Sequence, residues 1–291
     1  MTRVSVNGIF LNVEVTGDGP IVLLLHGFTR DARAWQPVLP ALDAYRVVRV
    51  DLIGHGKSDA PDDASRYTME HAVEDLQALL HHLSVEQYAL IGYSLGGRVA
   101  LHLACAAPEQ LWGLVIESAS AGIEDPAQRA ARVESDEALA QSLFNLPSRQ
   151  EGAGPGLRLA TDGLEAFVDT WQAQPLFASQ SSLPAEVLSE QRRQRLENSP
   201  TGLANSLRGM GAGAQDYILD RLSVIDAPAF FLAGALDTRY AALAPVLAGQ
   251  VPGARHCIIE NAGHTSHLEQ PEVWSRLVRD FLNKHDGTSR K

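Results

Sequence analysis

Apolar runs alternate with helical patterns over the first 118 residues of the chain. Apolar runs without intervening polar residues are typical of strands that are covered on both faces. Ile21–Leu25 is such a run. Val47–Val50, Tyr88–Ile91 and Leu111–Glu117 are mostly apolar and predict further strands. Tyr67–Leu83 has apolar residues at helical spacing, and Leu95–Ala106 also indicates a helix. This alternation predicts an α/β fold with a mostly parallel central sheet and helices on both faces.

The alternation stops near Ser118, and helical patterns dominate from there to about Leu222. A glycine-rich stretch near residues 147–163 interrupts them. Strand-like runs return at Ala229–Ala233 and His256–Glu260, before an amphipathic helix at about Glu272–His285. We therefore expect a sheet domain formed by residues 1–118 and 223–291, with a helical cap inserted at 119–222. The cap should cover the carboxyl ends of the strands, where pockets lie in open parallel sheets.

One motif of five residues, Gly92-Tyr93-Ser94-Leu95-Gly96, lies between a predicted strand and a predicted helix. It fits the G-x-S-x-G nucleophile elbow, whose sharp turn lifts the serine hydroxyl above the sheet. Glycines suit the ends of the turn because side chains there would clash. The motif and its context predict that Ser94 is catalytic and sits in a strained conformation at the start of a helix.

A catalytic serine needs a base and an acid, and the chain offers both in the appropriate order. Asp237 follows the predicted strand Ala229–Ala233, and His264 follows the next predicted strand. The order serine, acid, histidine is that of α/β-hydrolases. We predict that Asp237 orients His264 and stabilises its cationic form.

An oxyanion hole requires two backbone N–H groups near the serine. One is predicted at Leu95, directly after Ser94, and the other at Phe28 in the loop after the first strand of the parallel sheet. We expect His26, in the same loop, to have a structural role. Together these residues predict an α/β-hydrolase fold with a complete catalytic apparatus.

Composition narrows the range of partners. The net charge of −11 argues against a broad basic face for nucleic acid or an anionic membrane. Cys105 and Cys257 lie in apolar surroundings, as reduced core cysteines do. The amino terminus has no signal-peptide pattern, and no run is long enough to span a membrane. We expect a cytoplasmic enzyme, a monomer or weak homo-oligomer, that acts on a small molecule without a metal or cofactor.

Three alternating glycines in S-L-R-G-M-G-A-G-A-Q-D, residues 206–216, raise the question of a phosphate-binding loop. A dinucleotide fingerprint would follow the first strand of a βαβ unit and open a helix. This stretch instead closes a predicted helix far beyond the serine. We therefore expect no nucleotide, and a left-handed helix cap at Gly209.

Longer motifs give the chain a resemblance to a known family. Two of them, His26-Gly-Phe-Thr and Gly92-Tyr-Ser-Leu-Gly-Gly-Arg98, are partly shared with other α/β-hydrolases. The more specific ones lie in the predicted cap: Arg132-Val-Glu-Ser-Asp136, Trp171-Gln-Ala-Gln-Pro-Leu-Phe-Ala-Ser179 and Leu203-Ala-Asn-Ser-Leu-Arg-Gly-Met-Gly. Over nearly its whole length the chain resembles the 2-succinyl-6-hydroxy-2,4-cyclohexadiene-1-carboxylate synthases of menaquinone biosynthesis, which eliminate pyruvate from a cyclohexene intermediate.

The resemblance implies roles for several residues. It maps the triad onto Ser94, Asp237 and His264, and carboxylate-binding arginines onto Arg132 and Arg195. It maps substrate-contacting aromatics onto Tyr93 and Trp171. It also implies that the serine acts as a general base on a small substrate with several carboxylates, without a cofactor.

Two other functions are compatible with the same core. One is a hydrolase, either a carboxylesterase or an enzyme that cleaves carbon–carbon bonds, and the other is a ligand receptor without catalysis. The complete triad argues against a receptor. Arginines that face the pocket would favour the lyase, because guanidinium groups pair well with carboxylates. A purely apolar pocket would favour an esterase.

Overall fold

A single mixed sheet forms the centre of the computed structural model, which describes residues 2–144 and 159–286. Its strands are β1 Thr2–Val6, β2 Ile9–Thr16, β3 Ile21–Leu25, β4 Arg46–Val50, β5 Tyr88–Tyr93, β6 Leu111–Glu117, β7 Ala229–Gly234 and β8 Arg255–Ile259. Their order is β1-β2-β4-β3-β5-β6-β7-β8. Strands β3 to β8 pair in parallel, whereas β2 is antiparallel to both of its neighbours. The prediction of a mostly parallel sheet is confirmed.

The helices connect these strands or follow them. They are α1 Met69–His82, α2 Leu95–Ala106, α3 Pro126–Ser142, α4 Leu159–Gln172, α5 Ala185–Leu196, α6 Pro200–Met210, α7 Thr238–Gln250, α8 Ser266–Glu269 and α9 Pro271–His285. Short 3-10 helical segments occupy Ala32–Leu42, Ala64–Tyr67, Pro108–Gln110, Pro175–Ser182 and Leu219–Val224. Within the described residues, no helix has the length and apolar character needed to cross a membrane.

Strand β3 shows why a central strand can be apolar on both of its faces. Leu23 and Leu25 face the helices α1, α2 and α7, whereas Val22 and Leu24 face the other side of the sheet. All of these side chains are fully buried. Burying a leucine or valine contributes about 2 kcal/mol relative to leaving it in water. A polar residue on either face of β3 would therefore cost stability. For this reason β3 lacks the alternation of apolar and polar residues that is typical of half-exposed strands.

A third apolar cluster lies apart from the two faces of the sheet. It joins α3, α4 and α6, which come between β6 and β7 in the chain, and its largest member is Phe167. Phe28 from the loop after β3 and Trp171 from α4 pack against it. The helical segment is thus anchored over the loops at the carboxyl ends of the strands.

The end of α6 differs from the prediction. Gly209 lies inside the helix, which continues to Met210, and Gly211 follows with φ −57° and ψ 154°. The left-handed cap predicted at Gly209 is therefore wrong. Glycine is needed at position 209 because of close packing and not to end the helix. A Cβ there would lie 2.2 Å from the carbonyl oxygen of Tyr67. The glycine-rich stretch near 147–163 lies for the most part outside the described residues.

Candidate active site

Ser94 lies in the turn between β5 and α2, in a conformation that few residues adopt. Its φ of 52° and ψ of −111° place it in the positive-φ region, at a cost of about 1–3 kcal/mol. The neighbouring glycines make the turn sterically feasible. A Cβ on Gly96 would lie 2.2 Å from the carbonyl oxygen of Leu25, and one on Gly92 would lie 2.4 Å from that of Gly96. The elbow therefore requires glycine at both positions.

Three side chains from different loops meet at this turn. Nε2 of His264 lies 2.9 Å from the hydroxyl oxygen of Ser94. Nδ1 of the same ring lies 2.7 Å from the carboxylate of Asp237. Because a carboxylate only accepts hydrogen bonds, Nδ1–H donates to Asp237 and Nε2 is left to accept the serine proton. The structure brings the three predicted triad residues together in the geometry of proton transfer.

The loop after β3 lies directly against the serine. A Cβ on Gly27 would approach the Cβ of Ser94 to 3.4 Å. Phe28 and Leu95 both line the cavity beside Ser94. Leu95 is the first residue of α2, and the N–H groups of a first helical turn have no acceptor within their helix. The two residues predicted to form an oxyanion hole are thus on the same side of the serine, and that role stays a prediction.

His26 joins the loop after β3 to the loop after β4. Its Nδ1–H donates to the carbonyl of Gly27 at 2.8 Å, and its Nε2 accepts the N–H of Leu52 at 3.0 Å. Burial lowers the pKa of His26. It also lowers the pKa of the adjacent His55 to about 3, with a smaller contribution from the charge of His26. Both rings are therefore neutral at neutral pH and hold the loop that carries Phe28.

A cavity of about 340 Å³ opens above Ser94 and His264, between the sheet and helices α3, α4 and α6. Tyr93 and Trp171 both line it, as predicted substrate contacts should. The Tyr93 hydroxyl is 2.7 Å from the Thr265 hydroxyl. The Trp171 ring packs edge to face against Phe28, with ring centroids 5.1 Å apart.

Arginines provide much of the charge of this cavity. Arg132 lines it and forms an ion pair of 2.8 Å with Asp136, one helical turn further along α3. Arg98 and Arg239 line it as well. Burial lowers the pKa of Arg98 to about 10, so this guanidinium remains charged at neutral pH. Asp136 also lines the cavity, and burial raises the pKa of its carboxyl group.

Comparison with known proteins places this arrangement in a family. Residues 20–271 match the family model described as the alpha/beta hydrolase fold. A Bacillus subtilis (strain 168) protein, provisionally named as a 2-succinyl-6-hydroxy-2,4-cyclohexadiene-1-carboxylate synthase, is 36% identical over 92% of this chain and 93% of its own. A Pectobacterium atrosepticum protein with the same name is 30% identical over 91% of this chain and 94% of its own. The chain belongs to the alpha/beta-hydrolase family, in its group of 2-succinyl-6-hydroxy-2,4-cyclohexadiene-1-carboxylate synthases.

A solved structure supports this family assignment over the same length of chain. The structure of MenH from S. aureus superposes with a TM-score of 0.84 and 30% sequence identity. The match covers 95% of this chain and 99% of the other. The sheet and the helices around it therefore share the architecture of that structure.

Arg195, a predicted carboxylate ligand, does not line the cavity of this alpha/beta-hydrolase. Its guanidinium is buried behind the ring of Phe177, 5.6 Å from the ring centroid, and donates to Gln172 at 2.8 Å. Arg30 is buried beside it and donates to Gln191 at 2.9 Å. Burial and the charge of Arg30 lower the pKa of Arg195 to about 9. Among the described residues, neither of the two arginines forms an ion pair with a carboxylate.

Two cavity arginines were not assigned a role from the sequence. Arg98 lies four residues after Ser94, where a helical residue shares the face of the nucleophile, so its spacing was a usable signal. Arg239 lies in the first turn of α7, and nothing in the local sequence separates it from a surface arginine. Within the described part of the chain, no cluster of acidic, histidine and cysteine side chains could hold a metal ion.

Proposed function

We propose that this protein eliminates pyruvate from 2-succinyl-5-enolpyruvyl-6-hydroxy-3-cyclohexene-1-carboxylate, to give 2-succinyl-6-hydroxy-2,4-cyclohexadiene-1-carboxylate in menaquinone biosynthesis. The observation that carries the proposal is one cavity in which arginines surround the serine and histidine. The named relatives and the structure of MenH support the same activity.

The charges of the substrate match those of the cavity. Carboxylates sit on the ring, on the succinyl arm and on the enolpyruvyl group of this substrate. Arg98, Arg132 and Arg239 line the cavity, and Arg195 lies one layer behind it. Arginine pairs with carboxylates through parallel hydrogen bonds that are strongest where water is excluded. An enzyme for neutral esters would gain nothing from such a lining.

The elimination uses the triad as a proton relay. His264, oriented by Asp237, takes the hydroxyl proton of Ser94, and the serine oxygen removes the proton at ring carbon 2, next to the succinyl ketone. The electron pair of that C–H bond forms a double bond between carbons 2 and 3. The existing ring double bond shifts to carbons 4 and 5, and the bond from carbon 5 to the enolpyruvyl oxygen breaks. The released enolate takes up a proton and becomes pyruvate.

The backbone supplies the stabilisation of charge. Negative charge develops on the ketone oxygen as the proton leaves, and the N–H groups of Phe28 and Leu95 bind that oxygen. One such donor typically contributes about 3–4 kcal/mol to the transition state. Tyr93 and Trp171 hold the carbon skeleton against the serine. No step of this sequence consumes a cofactor.

The helical segment 119–222 acts as the cap of the core formed by 1–118 and 223–291. Support comes from its separate apolar cluster and from its contribution of Arg132 and Trp171 to the cavity.

We further propose that the protein is cytoplasmic and is a monomer or weak homo-oligomer. Cys105 and Cys257 are free thiols, as is usual in a reducing compartment.

The test compares two reactions of the same preparation. The protein should release pyruvate from the enolpyruvyl substrate, and Ser94→Ala should reduce this rate by at least about 1000-fold. Ser223→Ala, which changes an exposed serine, serves as the control and should leave the rate unchanged. Rapid hydrolysis of a nitrophenyl ester without any pyruvate release would contradict the lyase and identify a hydrolase.

A further inference from the structure

Glu117 is a buried carboxylate that the proposed chemistry does not use. It is the last residue of β6 and is fully buried. One of its oxygens accepts the Ser266 hydroxyl at 2.7 Å and the His267 N–H at 3.1 Å. The other accepts Nδ1–H of His267 at 2.9 Å and the indole N–H of Trp274 at 2.9 Å. Both oxygens are therefore used fully within the protein.

The same residue also contacts the nucleophile elbow. Its backbone carbonyl accepts the N–H of Ser94 at 2.9 Å. Its carboxylate binds Ser266 and His267, which follow His264 by two and three residues. One residue thus connects the turn that presents the serine to the loop that presents the base. The 2.9 Å contact between Ser94 and His264 depends on the relative position of these two segments.

The surrounding groups favour a carboxylate over an amide. Burial opposes the charged form of Glu117, but the charge of His267 and the hydrogen bonds from His267 and Ser266 outweigh it and lower the pKa of Glu117. Every one of its side-chain partners donates a hydrogen bond in this arrangement. A glutamine has one accepting oxygen and an NH₂ group that only donates. Its NH₂ would face two donors, and a buried donor without an acceptor costs about 1–3 kcal/mol.

Other contacts also hold the same loop. The Glu269 carboxylate accepts the N–H groups of Gly263 at 2.8 Å and Thr265 at 3.1 Å. The Tyr93 hydroxyl meets that of Thr265. Glu117 provides a separate attachment through Ser266 and His267. The His267 ring also packs edge to face on Tyr93, with centroids 4.9 Å apart. Without the Glu117 carboxylate, residues 266 and 267 lose the hydrogen bonds that tie them to the end of β6.

We propose that Glu117 is a positioning residue whose carboxylate fixes residues 264–267, so that Nε2 of His264 faces the Ser94 hydroxyl. This inference rests on the proposed roles of Ser94 and His264, but not on the identity of the substrate. A misplacement of about 1 Å can reduce a rate by about 100-fold when the reacting groups must be aligned.

The experiment compares Glu117→Gln with the same type of substitution at a buried carboxylate elsewhere. Asp75 on α1 is buried and paired with Arg66 at 2.6 Å, far along the chain from the histidine loop. Asp75→Asn therefore provides a matched carboxylate-to-amide control. Three quantities are measured: Tm, the kcat and KM for pyruvate release, and the rate at which a fluorophosphonate labels Ser94. Labelling requires the serine and histidine to be coupled, but needs no substrate.

We expect Glu117→Gln to lower kcat by at least tenfold with KM within twofold, and to slow labelling by a similar factor. Asp75→Asn should lower Tm with labelling and kcat unchanged. If Glu117→Gln lowers Tm alone, the residue is merely structural and the proposal is overturned. If that variant does not fold, the labelling rate of Ser266→Ala tests the proposal instead. This substitution removes only one of the hydrogen bonds to the Glu117 carboxylate. Slower labelling in Ser266→Ala supports the proposal, and unchanged labelling overturns it.

The outcome is separable from that of the proposed function. A chain that labels rapidly but releases no pyruvate contradicts the lyase, while its Glu117→Gln variant still tests the positioning role. A chain that releases pyruvate and whose Glu117→Gln variant labels normally contradicts only the positioning role.

Discussion

The residues of this site are determined in two ways: by the local backbone or by how distant segments pack. Ser94 adopts a positive φ, and the adjacent glycines are required by backbone atoms that lie too close for any side chain. Such constraints are local and appear in the sequence as a motif. Arg132 is different, because it pairs with Asp136 as a surface helix pair would and also lines the cavity. Its proposed role toward the substrate depends on which side of α3 faces the cavity.

Replacing Arg132 with alanine tests its proposed role toward the substrate. A hydrogen bond to a charged group contributes about 1.5–3 kcal/mol, which corresponds to a loss of kcat/KM of about 10- to 150-fold. We expect a loss of this size for pyruvate release, with circular dichroism unchanged. Arg192→Ala is the matched control, since that cap arginine pairs with Asp169 and does not line the cavity. Equal kinetics for both variants would assign Arg132 to the surface.

At the scale of elements, the turn after α6 packs closely against α3. A Cβ on Gly213 would lie 2.8 Å from the backbone nitrogen of Val133, and one on Gly211 would lie 2.5 Å from Asp136. The alternating glycines of residues 206–216 therefore allow α3 to pack directly on this turn. Their role is steric, and it positions the helix that carries Arg132.

Gly213→Ala should therefore displace α3 and impair substrate binding without altering the triad. We expect KM for pyruvate release to rise several-fold, while the rate of Ser94 labelling stays within twofold. Gly249→Ala in α7 is the control, because its Cβ would meet no atom within 4 Å. An alanine there should be neutral or stabilise the helix by up to about 1 kcal/mol. Unchanged KM in Gly213→Ala would show that α3 tolerates the shift.

The whole molecule combines an acidic surface with a basic cavity. The net charge is −11, yet arginines line the pocket above the triad. Buried histidines add a second electrostatic property, a dependence of stability on pH. Burial, with a smaller effect from the charge of Arg221, lowers the pKa of His102 to about 4. An unfolded histidine titrates at about 6.5.

Between pH 6.5 and about 4, His102 is therefore protonated in the unfolded chain and neutral in the folded protein. Stability is therefore complete above pH 6.5 and declines as the pH falls, by an amount on the order of 3 kcal/mol for this group. We expect His102→Gln to have a flatter dependence of urea unfolding free energy on pH over this window. His256→Gln, at an exposed position, should follow the wild type. Identical slopes for all three proteins would contradict this role of His102.

Much of the fold and of the catalytic centre followed from sequence patterns alone. Mostly apolar runs identified the central strands, because a strand that is covered on both faces has no side that faces solvent. Ser94, Asp237 and His264 could be located because each follows a strand, and parallel strands end at one edge of a sheet. The family could be recognised from motifs between residues 119 and 222, the segment predicted to form a cap. These signals are all local, since they depend on neighbours within a few residues.

Tertiary structure alone decided which side chains share a space. The direction of Arg239 into the cavity, the position of Arg195 behind Phe177 and the end of α6 at Met210 depend on packing between distant segments. The carboxylate of Glu117 gathers donors from residues about 150 positions further along the chain. Burial, hydrogen-bond partners and pKa values are properties of the folded neighbourhood, because they arise from atoms that only folding brings within a few ångströms of each other.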